Sequence, residues 1–84
     1  MKVVHCRKEP YDVYIGRPSK WGNPYIIGRD GTRDECVEKY RDFITGPDGE
    51  ALVASLGELS GKTLGCWCSP LACHGDILME LANQ

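Results

Sequence analysis

No run of apolar residues in this chain extends beyond a few positions, which leaves no candidate for a membrane-spanning helix of ~20 apolar residues. The first ten residues, Met1 to Pro10, contain no apolar stretch of the length a secretory signal needs, so the sequence reads as cytosolic. Charge of one sign is also scarce. Ten basic and twelve acidic residues give a net charge of −2, so the surface as a whole does not attract nucleic acid. Repeats, linkers and low-complexity segments are absent. An even set of cysteines is missing too: five cysteines argue against a closed disulfide framework. In a reducing compartment, clustered cysteines are metal ligands or reactive groups more often than bridges.

What the chain does contain is an ordinary globular composition, 42% hydrophobic and 26% charged. Its 84 residues read as a single domain, 1–84, with a thin core of the kind that a metal, a ligand or a partner often supports. A homodimer is consistent with that thinness. The charge is unevenly spread. Residues 1–42 carry nine of the ten cations against seven acids, a balance of +2, and residues 43–84 carry one against five, a balance of −4. That split suits either one basic face for a phosphate-bearing ligand or two solvated faces of different charge.

Val3 to Cys6 and Asp12 to Ile15 read as strands. Gly16 to Pro24, with two glycines and two prolines, reads as an ordered loop. Tyr25 to Ile27 reads as a brief further strand. Thr32 and Glu35 have the spacing of a capping box and open a helix whose apolar face is Val37, Tyr40, Phe43 and Ile44. Gly46-Pro47 stops it. A second helix is predicted from about Gly49 to Leu59, with Leu52, Val53, Leu56 and Leu59 inward, and Ser60-Gly61 breaks it. Lys62 to Trp67 is predicted as a central buried strand. Pro70 turns the chain, and a last helix covers roughly Cys73 to Ala82 with Ile77, Leu78 and Leu81 inward. Helices alternating with strands give an α/β fold: one compact domain with a sheet of three to four strands and about three helices.

The stretch Gly65 to Asp76 holds three cysteines and a histidine, and two chemistries compete for it. Cys66, Cys68 and Cys73 form C-x-C-x₄-C, which can fold three thiolates around zinc. The pattern resembles the zinc triad that follows the catalytic domain of SET-type methyltransferases. His74, His5, Cys6 or Cys36 would supply the fourth ligand. Alternatively, Cys66 and Cys68 sit at a strand end and Cys73 and His74 at the following helix start, where small molecules bind in α/β sheets. A helix N-terminus favours phosphate or carboxylate and lowers a nearby thiol pKa. Cys73 and His74 would then act as nucleophile and acid–base, with Asp76 orienting the imidazole.

The Gly16–Pro24 loop carries a second kit. Arg17 and Lys20 suit phosphate, Ser19 an oxygen, Trp21 a stacked ring, and Asn23 a base or ribose edge. The same residues also suit a tight loop in which Trp21 plugs the core and Asn23 caps its own backbone.

Three segments together resemble a family of small bacteriophage and bacterial domains, domain of unknown function 4326. They are Tyr11 through Ile15-Gly16-Arg17-Pro18-Ser19-Lys20-Trp21-Gly22-Asn23-Pro24, then Lys39-Tyr40-Arg41, then Leu59 through Gly65-Cys66-Trp67-Cys68 with Pro70 and Cys73-His74-Gly75-Asp76. The resemblance implies one complete domain and a phage or bacterial source, and it supplies no function. A weaker similarity, to domain of unknown function 488, covers the strand ending in cysteine, the proline turn and the Cys-His pair. That family has an arginine after the pair where this chain has Gly75. Two functions are therefore expected. The first is a pocket for a nucleotide-like or other phosphorylated small molecule between the Arg17–Pro24 loop and the Cys66–Asp76 strand-to-helix turn, with Cys/His chemistry at its end. The second is a zinc-stabilised module that binds a protein or nucleic acid, as a host-directed phage protein would.

Overall fold

The β-branched start of the chain and the apolar run after Gly61 meet in one parallel sheet. The computed structural model describes residues 1–69 and 71–83, and Pro70, expected to turn the chain, lies outside them. Strands β1 (Lys2–His5), β2 (Val13–Tyr14) and β3 (Thr63–Cys66) are arranged in the order β1-β3-β2, so the last strand in sequence is the central one. Both pairings are parallel: Lys2 to His5 match Thr63 to Cys66, and Val13 and Tyr14 match Leu64 and Gly65. Val3, Leu64 and Val13 therefore stand side by side on one face. Leu64 is fully buried, and both valines pack against the core around it. The expectation of a buried central strand holds, but the strand ends at Cys66, one residue short of Trp67.

The opposite face is closed by an aromatic lid. Gly65 lies between Val4 and Tyr14, and a Cβ there would sit 2.6 Å from Cγ of Tyr11. Only the absence of a side chain lets that ring lie flat on the strand. Asp12 fixes the lid's base: its N–H donates to Thr63 O at 2.8 Å and its carboxylate accepts from Thr63 N–H at 2.8 Å.

Helix α1 (Arg33–Thr45) begins at the anticipated capping box, with Thr32 and Glu35 satisfying each other's backbone N–H groups. It buries Cys36, Tyr40 and Ile44, with Val37 and Phe43 partly covered, so the apolar face is the predicted one widened by Cys36. The predicted second helix is broken into pieces. A 3₁₀ turn over Pro47–Gly49 leads into α2 (Glu50–Ala54), and a second 3₁₀ turn covers Leu56–Glu58. Gly57 weakens a continued α-helix, and the tighter turns rotate the remaining residues. Leu59 reaches the core as expected, while Val53 is left 44% exposed. Tyr25–Ile27 is a turn rather than a strand. Gly28 takes a left-handed φ of 93°, Asp30 pulls the Ile26 N–H back at 2.8 Å, and only an isolated bridge joins Ile27 to Gly31.

Helix α3 (His74–Ala82) buries Ile77 and Leu78, with Leu81 packed at the core's edge. Gly75 lets its first turn press onto the sheet: a Cβ would lie 2.8 Å from Ile15 Cδ1 and 3.1 Å from the Val3 methyls. Three strands and three helices thus form one α/β globule. Among the described residues, no helix is long and apolar enough to cross a membrane.

Candidate functional site

The carboxyl ends of β2 and β3 and the start of α3 converge. In a parallel sheet this is where a crevice opens, because each strand hands over to a loop there. Ile15, just after β2, accepts a hydrogen bond from His74 Nε2 at 2.7 Å, which ties the start of α3 to the end of β2. Cys66 ends β3 and Cys73 caps α3, with their sulfurs 3.2 Å apart. Two adjoining cavities lie over this junction, of about 280 Å³ and 220 Å³. Arg17, Asn23, Cys68 and His74 line both. The Arg17–Pro24 loop and the Cys66–Asp76 turn, anticipated as the two halves of a pocket, do line the same cavities.

Charge at the thiol pair is set by mutual hydrogen bonding. The Cys73 thiol and the backbone N–H groups of Cys68 and Ser69 stabilise the Cys66 thiolate, and lower its pKa to about 6 despite burial. Cys73 is pushed upward, first by donating to Cys66 and then by burial. The pair thus shares one proton between its sulfurs, and both thiols carry backbone N–H donors: Cys68 and Ser69 for Cys66, Gly75 for Cys73. Asp76 does not orient the imidazole. Its carboxylate accepts from the Cys73 N–H at 3.2 Å, while the Cys73 sulfur accepts from the Gly75 N–H at 3.2 Å, a reciprocal cap. An acid already occupies the helix start, so an incoming anion finds no vacant N-terminus there.

His74 is only 7% exposed, and burial lowers its pKa. A carbonyl only accepts, so Nε2 carries the ring proton and Nδ1 is left as an acceptor on a ring that lines both cavities. The linkage has a definite sign. Because the folded value lies below the unfolded one, the stabilising contribution is present above the unfolded pKa of about 6.5. It is lost as pH falls through the folded value, since the unfolded chain takes up a proton that the folded chain refuses. The melting temperature should therefore drop on acidification below about pH 6.5. His74→Gln, which can keep a donor for Ile15, should flatten that limb in a series of melts. An unchanged limb would show that His74 is not the buried neutral group.

The loop residues divide. Arg17 lines both cavities, and among the described residues its guanidinium has no carboxylate partner. Lys20, expected to hold phosphate, instead pairs with Glu58 at 2.9 Å and lies over the Trp21 ring. Ser19 bonds Gly16 O at 2.6 Å. Trp21 is 2% exposed and its carbonyl accepts from Tyr40 Oη at 2.8 Å, which makes it a core plug and not a stacking face. Asn23 braces the loop, bonding Cys36 O and the Tyr25 N–H, while still facing the cavities. Three contributors escaped the residue pattern: Tyr14, Trp67 and Arg33. Trp67 is 53% exposed, donates to Tyr14 Oη at 2.8 Å and lies under the Arg7 guanidinium. The signal for it was its place just beyond a buried strand end, where the next side chain turns outward.

The described geometry gives zinc no support. Among the described residues, no group of three or more His, Cys, Asp and Glu side chains is arranged to hold a metal ion. Cys66 and Cys73 are paired, but the reserve ligands are spent elsewhere. Cys36 is buried in α1 against Gly31 O, and His5 Nδ1 accepts from the Arg7 N–H.

With this geometry in view, comparison with known proteins adds ancestry. The family model described as Domain of unknown function (DUF4326) matches residues 2–84. An uncharacterized 12.4 kDa protein in the nrdA-td intergenic region of Enterobacteria phage T4 is 41% identical over 99% of this chain and 78% of its own length. An uncharacterized protein of Acanthamoeba polyphaga mimivirus is 36% identical over 83% of this chain, which spans 65% of that protein. No solved structure matches the chain. The weaker likeness to domain of unknown function 488 is not shown by these matches.

Proposed function

From the premise that this chain belongs to the DUF4326 family, we propose that it binds a phosphorylated, nucleotide-like small molecule in the crevice above β2 and β3. One observation carries the reading: arginine lines both cavities, and neither lining contains an aspartate or glutamate. Several cations elsewhere on the described surface are paired with acids, as in Lys20–Glu58, Arg29–Asp30 and Arg41–Glu80. Arg17 and Arg33 flank the second cavity without such partners, and a guanidinium pair of this kind matches phosphate oxygens better than lysine would. Exposed Trp67 at the rim of the first cavity offers a face for a planar ring, held edge-on by Tyr14. Together the cavities reach the lower part of the ~300–1,000 Å³ range of small-molecule sites. The Cys66 thiolate and His74 Nδ1 are the reactive groups such a ligand would meet.

The test is a thermal melt with inorganic pyrophosphate and with nucleoside mono- and diphosphates. A ligand at a hundredfold excess over its dissociation constant stabilises the fold by about 2.7 kcal/mol, a rise of roughly ten degrees or more for a chain this short. A flat response across the panel would remove the reading.

A further inference from the structure

Five free thiols in so short a chain include one pair that the fold holds together. Cys66 and Cys73 have sulfurs 3.2 Å apart and are 1% and 3% exposed. They come from different elements, the end of β3 and the cap of α3, so the pairing is made by tertiary structure rather than by chain proximity. Each also forms part of a cavity wall, Cys66 of the first and Cys73 of the second. The three remaining cysteines have no sulfur partner among the described residues: Cys36 is buried in α1 with its sulfur on Gly31 O, Cys6 lies half-buried after β1, and Cys68 lines both cavities.

We propose that Cys66 and Cys73 are a two-electron redox pair that reduces low-molecular-weight disulfides entering the crevice. The Cys66 thiolate attacks one sulfur of the substrate, the substrate S–S bond breaks, and the first thiolate leaves and takes up a proton. Cys66 is then joined to the other half as a mixed disulfide. Cys73 loses its proton, its sulfur attacks Cys66 Sγ, and the second half leaves as a thiol. The protein dithiol is oxidised to one disulfide while the substrate is reduced to two thiols. Closure asks little of the fold, because the sulfurs need to approach by only ~1 Å to reach bonding distance. Cys66 is assigned as the attacking sulfur because the Cys73 thiol and the backbone N–H groups of Cys68 and Ser69 all face it and favour its thiolate. This activity goes beyond anion binding and does not depend on it.

The experiment treats the reduced full-length chain with 2-hydroxyethyl disulfide, an uncharged probe that owes nothing to the arginines. Cleavage after Trp67 and Leu71 places Cys66, Cys68 and Cys73 on three different peptides, so mass spectrometry can assign every link. The expected product is a Cys66–Cys73 disulfide. Cys73→Ser should instead stop at a mixed disulfide on Cys66. Cys66→Ser should slow modification of Cys73 at least tenfold, and Cys68→Ser should leave the Cys66–Cys73 link intact. A link through Cys68, or no link in the wild-type chain under disulfide excess, overturns the proposal, and wild-type mapping decides this even where a variant fails to fold. Arg17→Ala should leave the link unchanged while losing half or more of the phosphate protection, so the two readings fail separately.

Discussion

Arg17→Ala should remove half or more of the thermal protection given by pyrophosphate or a nucleoside diphosphate, while the unliganded melting temperature stays within a degree or two. The loss is large because Arg17 lines both cavities and has no carboxylate partner among the described residues. Nothing in the free protein has to be broken before it meets an anion. A hydrogen bond to a charged group is worth about 1.5–3 kcal/mol, so affinity should fall roughly ten- to a hundredfold. The free fold should hardly notice, because the Arg17 side chain is exposed, and what the loop takes from this residue is its carbonyl, which accepts from Tyr14 Oη at 2.9 Å. Lys20→Ala is the control. Its ammonium is committed to Glu58, so it should retain most of the protection. Equal losses in both variants would mean that diffuse positive charge, and not Arg17, holds the ligand.

The second large effect separates the two tryptophans. Trp21→Ala should cost about 3–5 kcal/mol, the usual penalty for emptying a buried aromatic site. That is a large share of the ~5–15 kcal/mol that holds a small domain together, and corresponds to a fall of roughly 15–30 °C in melting temperature. The ring is buried among Ile15, Tyr40, Leu64 and their neighbours, and its own carbonyl receives the Tyr40 hydroxyl, so the variant both opens a void and loosens that anchor. Trp67→Ala should leave the circular-dichroism melt close to that of the parent, because half of the side chain already faces solvent. It should weaken a nucleotide more than pyrophosphate, which has no ring to stack. A melt of Trp21→Ala within a few degrees of the parent would show that the core does not rest on this residue.

The exchange of roles between these tryptophans shows what the residue order conveyed. Elements with a local signal came through: the capping box at Thr32, the spacing of Tyr40 and Ile44, and the apolar run ending at Cys66. The site's two halves were also legible, because each is a dense set of chemistry-bearing residues beside a predicted strand end. What stayed hidden depends on contacts between distant residues. Lys20 is withdrawn by Glu58, 38 positions away. Arg33 is placed over the second cavity by the packing of α1, and its guanidinium donates to Ala72 O. Asp76 was expected to serve His74, yet the nearer Cys73 N–H took it, since a first-turn acid meets its own helix cap before any side chain. The three-cysteine spacing suggested zinc because spacing says nothing about where β3 stops. With the strand ended at Cys66, the strand alternation that put Cys68 beside it does not apply, although both line the first cavity.

The central place of β3 fixes the order in which this molecule can come together. Neither β1 nor β2 has a strand neighbour until residues 63–66 slot between them. A nascent chain that has emerged only as far as its second 3₁₀ turn therefore holds two unpaired edges and no sheet. It can form α1 early from local contacts, while strand pairing waits on long-range closure. When β3 arrives it brings Cys66, and Cys73 and His74 follow within a few residues. The crevice wall, its thiol pair and the sheet beneath them therefore all depend on the same late segment of the chain, residues 63–74.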